Sequence, residues 1–328
     1  MKILVTGGLG FIGSNFISKL LKKSNEFEVI NVDAELYGAD RRNLSEIQNH
    51  EKYDFVKGNI TNKRLMEEII SKCDLVVNFA AESFVDRSIS DANPFLVSNI
   101  RGAFTILDIV TKQKKRMIQI STDEVFGSLS TDTATEESKF NPSSPYAATK
   151  AAAELLINSY CVTYNSDVII TRCTNNYGPR QFPEKLIPKT IILAKQGKKI
   201  PIYGKGKNIR DWIHVDDHCD AVLSSLLDGK SGQTYNISGN NEIDNITIVK
   251  MILDVMGKSE DLIEHVEDRP GHDFRYSMNS SKISRELNWK PKISFKEGIK
   301  KTVEWYLNHE ELWKDLSPKI LDPTPWKN

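Results

Sequence analysis

The sequence predicts a doubly wound α/β fold, a parallel sheet covered by helices on both faces. Three observations predict it. Short runs rich in Val and Ile alternate with helical patterns through the first half of the chain. Those runs are apolar on both faces. The first of them ends in closely spaced glycines that open a helix. Strands that are apolar on both sides and separated by helices belong to a parallel sheet buried between two helical layers.

The elements follow in order. KILVTG (2–7) is the first strand, and FIGSNFISKLLKK (11–23) carries apolar positions at helical spacing. FEVINVD (27–33) is the second strand; a polar loop leads to YDFVKGNI (53–60), the third. NKRLMEEIISK (62–72) is helical and CDLVVNFAA (73–81) is the fourth strand. NIRGAFTILDIVTKQ (99–113) is a helix and RMIQIST (116–122) the fifth strand. AATKAAAELLINSYCVTY (147–164) is a helix and DVIITRCTN (167–175) the sixth strand. Beyond residue 175 the rhythm breaks: Pro179, Pro183, Pro188 and Pro201 punctuate shorter elements. Later helices are expected at AVLSSLL, TIVKMILDVMG and FKEGIKKTVEWYLNH. No Gly/Ser tether or internal repeat separates the halves. Residues 1–175 are therefore expected to form the parallel-sheet domain and 176–328 a smaller α/β domain packed on it, with an approximate boundary and some later segments returning to the first.

At 328 residues, with 39% hydrophobic and 27% charged residues, the chain has the composition of a globular protein with a sizeable core. Forty-four basic residues balance 44 acidic ones, so no net field favours nucleic acid or an anionic membrane. No apolar run reaches the ~18 residues a membrane helix needs. The four cysteines (Cys73, Cys161, Cys173, Cys219) lack metal or CxxC spacing and read as reduced thiols of a cytoplasmic protein. His214 and His218 flank VDD without further ligands at suitable spacing, so no metal site is expected.

TGGLGFIG places Gly7, Gly10 and Gly13 between the first strand and the first helix. Glycines there permit a tight turn and close backbone approach, and the helix N-terminus attracts a pyrophosphate. Asp33 closes the second strand twenty residues after Gly13. Its carboxylate suits the two adenosine ribose hydroxyls and would repel a 2′-phosphate, which favours NAD over NADP on a Rossmann sheet; Arg41 and Arg42 lie close enough in sequence to keep NADP open. Tyr146 and Lys150 are four apart on one helix face, where a lysine ammonium stabilises a phenolate and lowers the phenol's pKa. The fifth strand ends in Ser121-Thr122 and then two adjacent acids, Asp123 and Glu124, in place of the usual turn residues.

TGGLGFIG, STDEVFG, YAATK and NNYGPRQFPEKLIP together resemble the extended short-chain dehydrogenase/reductase superfamily. More narrowly they resemble its nucleoside-diphosphate-glucose 4,6-dehydratases, above all those acting on dTDP-glucose, from Lys2 to about Trp305. The resemblance implies the following chemistry. Tyr146 takes the proton of the sugar 4-hydroxyl while the C4 hydride passes to NAD, and Thr122 bonds the same oxygen. Glu124 removes the C5 proton, made acidic by the new ketone. Asp123, as a neutral acid, protonates the C6 hydroxyl as it leaves. Elimination needs a base and an acid at neighbouring carbons, which accounts for the paired carboxylates. Adjacent carboxylates raise each other's protonation tendency; the sequence leaves open which of the two holds the proton at rest.

The same resemblance implies NAD contacts from Gly7, Gly10, Phe11, Ile12, Gly13, Asp33, Asn59, Ile60, Ala80, Ala81, Tyr146 and Lys150. It implies sugar-nucleotide contacts from Ser83, Thr122, Asn176, Lys185, Leu186, Pro201, Tyr203, Arg210, Asn245, Arg269 and His272. Within that set Lys185, Arg210 and Arg269 would meet the diphosphate, whose oxygens accept forked donors, and Tyr203 would lie near the base. The sequence departs from the family pattern at several points. Asn59 stands for an acid that meets the adenine amino group, a bond its amide oxygen could still accept. Asn78 and Phe84 stand where histidines are frequent, Phe126 replaces a tyrosine, and Gly204-Lys205-Gly206 replaces glycine-acid-glycine. The departures near the nucleotide end leave UDP-glucose as an alternative substrate. Nucleotide-sugar 4-epimerases and decarboxylases share the glycines and the Tyr/Lys pair, but the two acids argue against them. A non-catalytic NAD-binding regulator would be expected to lose Tyr146 or Lys150. Apolar residues on more than one face of FTILDIVTKQ and AAAELLINSYCVTY predict a homodimer.

Overall fold

The structure is a computed structural model that describes residues 1–23 and 26–327. Strands β1 (Lys2–Thr6), β2 (Glu28–Asp33), β3 (Tyr53–Lys57), β4 (Leu75–Asn78), β5 (Arg116–Thr122) and β6 (Val168–Cys173) pair in parallel, in the order 6-5-4-1-2-3. The six strands expected from the sequence are all present. Helices α1 (Phe11–Lys23), α2 (Lys63–Ser71), α3 (Val85–Ser90) and α4 (Asn93–Phe95) connect the first strands. A π-helical segment, Leu96–Gly102, carries α4 into α5 (Ala103–Gln113), and α6 (Pro145–Tyr164) precedes β6.

Side chains alternate across the pleat. Ile3, Val5, Val77, Ile118 and Ile169 face α1 on one side. Leu4, Val76, Met117, Val168 and Ile170 face α2, α5 and α6 on the other. Both of these apolar layers are buried, as a sheet covered on both sides requires.

Local chemistry fixes where α6 starts and stops. The Ser144 hydroxyl accepts the Ala147 N–H at 3.1 Å, and Pro145 occupies the first turn. Asn165 ends the helix in the left-handed region at φ 52°. That start places Tyr146 in the first turn, over the end of β5.

The second half forms β7 (Asn175–Tyr177), α7 (Leu186–Lys195), β8 (Ile200–Tyr203), β9 (Ile209–His214), α8 (Val215–Asp228), β10 (Thr234–Ile237), β11 (Glu242–Asp244), α9 (Asn245–Val255), β12 (Ile263–Val266), α10 (Ser281–Leu287) and α11 (Phe295–Asn308). Strands β11, β9 and β7 make a three-stranded sheet, and β12 pairs with β8. These pack with α7, α9 and α11 around Tyr177, Ile187, Trp212, Ile248 and Ile299.

The chain does not divide cleanly at residue 175. Strand β10 pairs with β6 and becomes the seventh strand of the parallel sheet. Val215, Cys219 and Val222 of α8, Ile283 of α10 and Trp289 join the core beneath it. Among the described residues no helix is long and apolar enough to cross a membrane. Cys73, Cys173 and Cys219 are buried free thiols and Cys161 is half-buried.

Candidate active site

In an open parallel sheet the C-terminal strand ends surround a crevice. Here that crevice holds two cavities that share Phe84, Glu124, Asn175, Asn176, Gln181 and Lys185 as a common wall. Gly7, Gly10, Phe11, Ile12, Gly13, Asp33, Asn59, Ile60, Ala80, Ala81, Ser83, Thr122, Tyr146 and Lys150 line the first. Asn176, Lys185, Leu186, Pro201, Tyr203, Arg210, Asn245, Arg269 and His272 line the second. The two sets singled out in the sequence thus meet at Glu124, with Asp123 beside it in the first cavity.

The glycine turn fits a dinucleotide. Gly7 adopts φ 70°, and a Cβ there would sit 2.6 Å from the Ala80 backbone nitrogen. A Cβ on Gly13 would sit 2.4 Å from the Gly7 carbonyl oxygen. Only glycines allow strand, turn and helix N-terminus to close this tightly. The Asp33 carboxylate is anchored by the backbone N–H groups of Leu9 (3.0 Å) and Glu35 (2.8 Å), so one lone pair on each oxygen is left to face the cavity. Burial raises its pKa, while those two N–H groups pull it back. Asn59 differs from expectation. Its amide oxygen already accepts the Thr61 N–H (2.9 Å) and hydroxyl (2.8 Å), which fills both lone pairs and leaves none for an adenine amino group.

The end of β5 delivers the reactive groups. The Thr122 hydroxyl caps the turn that follows, accepting the Glu124 N–H at 3.3 Å, and it donates to Asp123 Oδ1 at 3.1 Å. Asp123 is 4% exposed, and its Oδ2 has no partner. Burial first, then the neighbouring Glu124 and Asp211, push its pKa well above the usual carboxylate range. Glu124 is also raised by burial, but Arg269, Lys185 and Arg210 all pull it back toward the carboxylate. Both carboxyls are thus raised, Asp123 with acidic neighbours adding to burial and Glu124 with three cations opposing it, an asymmetry that favours the proton on Asp123.

The Tyr146–Lys150 pair does not behave as its spacing suggests. Lys150 Nζ donates to the Ile120 carbonyl at 2.6 Å, and burial lowers its pKa to about 8. The Tyr146 phenol is buried against Phe95, and burial followed by the charge on Glu124 pushes its pKa well up; the Thr122 hydroxyl pulls the other way. The expected lowering by Lys150 is not seen: burial dominates both groups, and the Lys150 ammonium is turned to the Ile120 carbonyl.

In the second cavity several cations are already engaged. Arg269 Nη1 donates to Asp86 Oδ1 at 2.7 Å, and the Tyr203 hydroxyl donates to Asp86 Oδ2 at 3.0 Å. Lys185 Nζ donates to the Ser83 carbonyl (2.9 Å) and lies 4.7 Å over the Phe84 ring. Arg210 bonds the Asp273 carbonyl at 2.9 Å and stacks 4.2 Å from the Tyr276 ring. Asn176 Oδ1 meets His218 Nδ1 at 2.9 Å, and His214 caps α8 by accepting the Asp216 N–H. Burial lowers the pKa of His272 to about 4, so it lines the wall neutral. Asp86, Gln181, Glu184 and Tyr276 also line this wall and were not singled out in the sequence. Tyr276 closes the same DRPGHDFRY stretch that yielded Arg269 and His272, and that proximity was its one available signal.

The comparisons agree with this geometry. The family model described as GDP-mannose 4,6 dehydratase matches residues 4–302. The low-salt glycan biosynthesis protein Agl12 of Haloferax volcanii is 45% identical over 312 residues, 95% of this chain and 100% of that one. The dTDP-glucose 4,6-dehydratase of Bacillus anthracis, solved in complex with NAD, superposes with a TM-score of 0.91 at 46% identity, over 97% of this chain and 100% of that one. This chain belongs to the nucleotide-sugar 4,6-dehydratase family. A further member, the dTDP-glucose 4,6-dehydratase DesIV of Streptomyces venezuelae, also solved with NAD bound, gives a TM-score of 0.94 at 41% identity over 97% and 100%. Against this 4,6-dehydratase frame, Asn78 sits in a buried ladder, accepting from Thr6 and donating to Gln119 Oε1 at 2.8 Å. Phe84 makes edge contacts with Tyr37 and Phe182 at 5.0 and 5.6 Å. Phe126 carries Arg172 4.9 Å over its ring. These three departures are thus packed or bonded, and of them Phe84 lines both cavities.

Proposed function

We propose that this chain converts dTDP-glucose to dTDP-4-keto-6-deoxyglucose and water, as an NAD-dependent hydro-lyase. The observation that carries the reading is the junction of the two cavities. There a buried Asp123, whose Oδ2 has no partner, stands next to a Glu124 that shares the second cavity with Lys185, Arg210 and Arg269, with Tyr146 and Thr122 alongside. An epimerase needs neither acid, and a non-catalytic NAD-binding protein needs none of the four.

The Gly7–Gly13 turn and Asp33 would hold NAD, which when bound would supply a hydride acceptor and donor for the sugar. The protein's own groups do the proton work. Tyr146, as its phenolate, accepts the 4-hydroxyl proton while Thr122 orients that oxygen. Glu124 removes the C5 proton once C4 is a ketone, and the electron pair moves into the carbonyl. Asp123 protonates the C6 oxygen so that water leaves. Lys185, Arg210 and Arg269 lie along the second cavity, where the diphosphate is placed by this reading, and Tyr203 stands at the base end. Residues 1–175, completed by 215–237 and 281–289, make the NAD-binding body; the remainder of 176–328 makes the sugar-nucleotide-binding body. Cytoplasmic location belongs to the same proposal.

Glu124→Gln tests the reading directly. It is expected to permit C4 oxidation while blocking C5 proton removal, so enzyme-bound NADH accumulates on mixing with dTDP-glucose. Solvent deuterium appearing at C5 at the wild-type rate in this variant would assign the base elsewhere. A parallel panel of dTDP-, UDP- and GDP-glucose is expected to favour dTDP, and equal turnover of all three would remove the thymine assignment.

The homodimer is part of the proposal. Phe104 on α5 and Leu155, Val162 and Tyr164 on α6 are exposed, Val162 at 88%. Helix pairing about a two-fold axis would cover them. Light scattering at micromolar concentration is expected to give twice the 37.2 kDa chain mass; a monomer alone would contradict it.

A further inference from the structure

Glu124 must dispose of the proton it takes from C5, and with both cavities filled by cofactor and sugar nucleotide it has little direct access to water. One hydrogen-bonded chain leaves it. The Tyr276 hydroxyl lies 3.5 Å from Glu124 Oε2 and donates to Asp273 Oδ2 at 2.7 Å. The same Asp273 oxygen accepts the hydroxyl of Ser143. Tyr276 is 2% exposed and Asp273 8% exposed, whereas Ser143, in the loop that leads into α6, is exposed to solvent. The line therefore runs from the junction of the cavities to the surface through oxygen atoms only.

Two residues hold it in place. The Arg210 guanidinium stacks 4.2 Å from the Tyr276 ring, and its Nη2 bonds the Asp273 carbonyl at 2.9 Å. Asn208 Nδ2 bonds that carbonyl as well, at 3.2 Å. A residue placed along the diphosphate thus braces both members of the chain.

We propose that Tyr276 and Asp273 are positioning residues that relay the C5 proton between Glu124 and solvent. The proposal rests on the dehydratase reading. When the C5–H bond breaks, its electron pair enters the C4 carbonyl and its proton goes to Glu124. The Glu124 O–H then gives that proton to the Tyr276 oxygen as the Tyr276 O–H passes its own to Asp273. Asp273 exchanges with water at Ser143. The reverse sequence reloads Glu124 with a solvent proton, which is delivered to C5 when the hydride reaches C6. No proton is created or lost, and each oxygen returns to its starting state.

The experiment is turnover of dTDP-glucose in D2O, reading deuterium at C5 of the product by NMR together with kcat. Wild-type protein is expected to give product deuterated at C5. Tyr276→Phe keeps the ring under Arg210 but removes the relay oxygen. It is expected to return the original protium to C5, lowering C5 deuterium on the order of tenfold. Asp273→Asn, which keeps a partner for the Tyr276 hydroxyl but is no proton acceptor, is expected to do the same. A residue needed only for packing would change turnover and leave the isotope content alone. C5 deuterium at the wild-type level in either variant, or protium at C5 in the wild type, would overturn the relay. Should Tyr276→Phe fail to turn over, Asp273→Asn decides by the same readout; if both are inactive yet bind NAD and dTDP-glucose normally, Ser143→Ala decides, its unaltered C5 deuterium counting against the route. Failure of the wild type to form any 4-keto-6-deoxy sugar would instead remove the dehydratase reading itself.

Discussion

Tyr146→Phe is expected to leave the fold intact and abolish oxidation of the sugar. The ring would keep its edge contact with Phe95, and the backbone N–H of residue 146 would keep its bond to the Ser88 hydroxyl. What disappears is the oxygen that takes the 4-hydroxyl proton. Loss of a general base typically costs ~10²–10⁴-fold, and the alternatives nearby are poor. Thr122 is a hydroxyl of ordinary basicity, and Lys150 is tied to the Ile120 carbonyl. Stopped-flow absorbance on mixing with dTDP-glucose should show no NADH in the variant and a transient in the wild type. A wild-type transient in Tyr146→Phe would move the first proton transfer to another group. The same burial that raises the phenol's pKa makes its phenolate a strong base once formed, so this step is also expected to speed up as pH rises.

Asp123→Asn is expected to be the second severe variant, and its defect should depend on the leaving group. Asparagine keeps the size of the side chain and an oxygen for the Thr122 hydroxyl, but has no carboxylic proton to give. With the natural 6-hydroxyl the rate should fall ~10²–10⁴-fold. With a 6-fluoro analogue, whose leaving group needs less protonation, the variant should run much closer to wild type. The pH dependence has a definite sign. Burial and the neighbouring Glu124 and Asp211 raise the Asp123 carboxyl, so its acid form is present below its pKa and lost above it. Wild-type elimination should therefore decline as pH rises through that value, and the variant should lack this alkaline decline. Equal impairment on both substrates would make Asp123 a residue that only shapes the end of β5.

The first six strands were legible because each is a Val/Ile run bounded by turn residues, a local pattern. Strand β10 was not: TYNI is four residues long and carries Asn236 in mid-strand, so nothing local separates it from a loop. Its place is decided by pairing with β6, more than 60 residues earlier in the chain. The approximate boundary at residue 175 follows from the same blindness to distant pairing.

The site divides along similar lines. Gly7, Asp33, Tyr146 and the Asp123–Glu124 pair were legible because each lies next to a strand end or helix start that the sequence marks. Tyr276 and Asp86 were not, since their meaning comes from Glu124 and Arg269, far away in the chain. The pull of Arg269, Lys185 and Arg210 against the upward shift of Glu124 was equally hidden, because those three cations converge from the second half. Asn59 misled for a nearer reason. Thr61, two residues on, turns back to fill its amide oxygen, a local Asx-type turn that competes with any ligand.

Incubation of the purified protein with dTDP-glucose, followed by mass spectrometry and NMR of the sugar nucleotide, tests the central claim most directly. Dehydration driven by Asp123 and Glu124 predicts a product one water lighter, with a ketone at C4 and a methyl group at C6, formed without net consumption of added NADH. A product of unchanged mass with an inverted C4, a lasting build-up of NADH, or recovery of the starting sugar alone would contradict it.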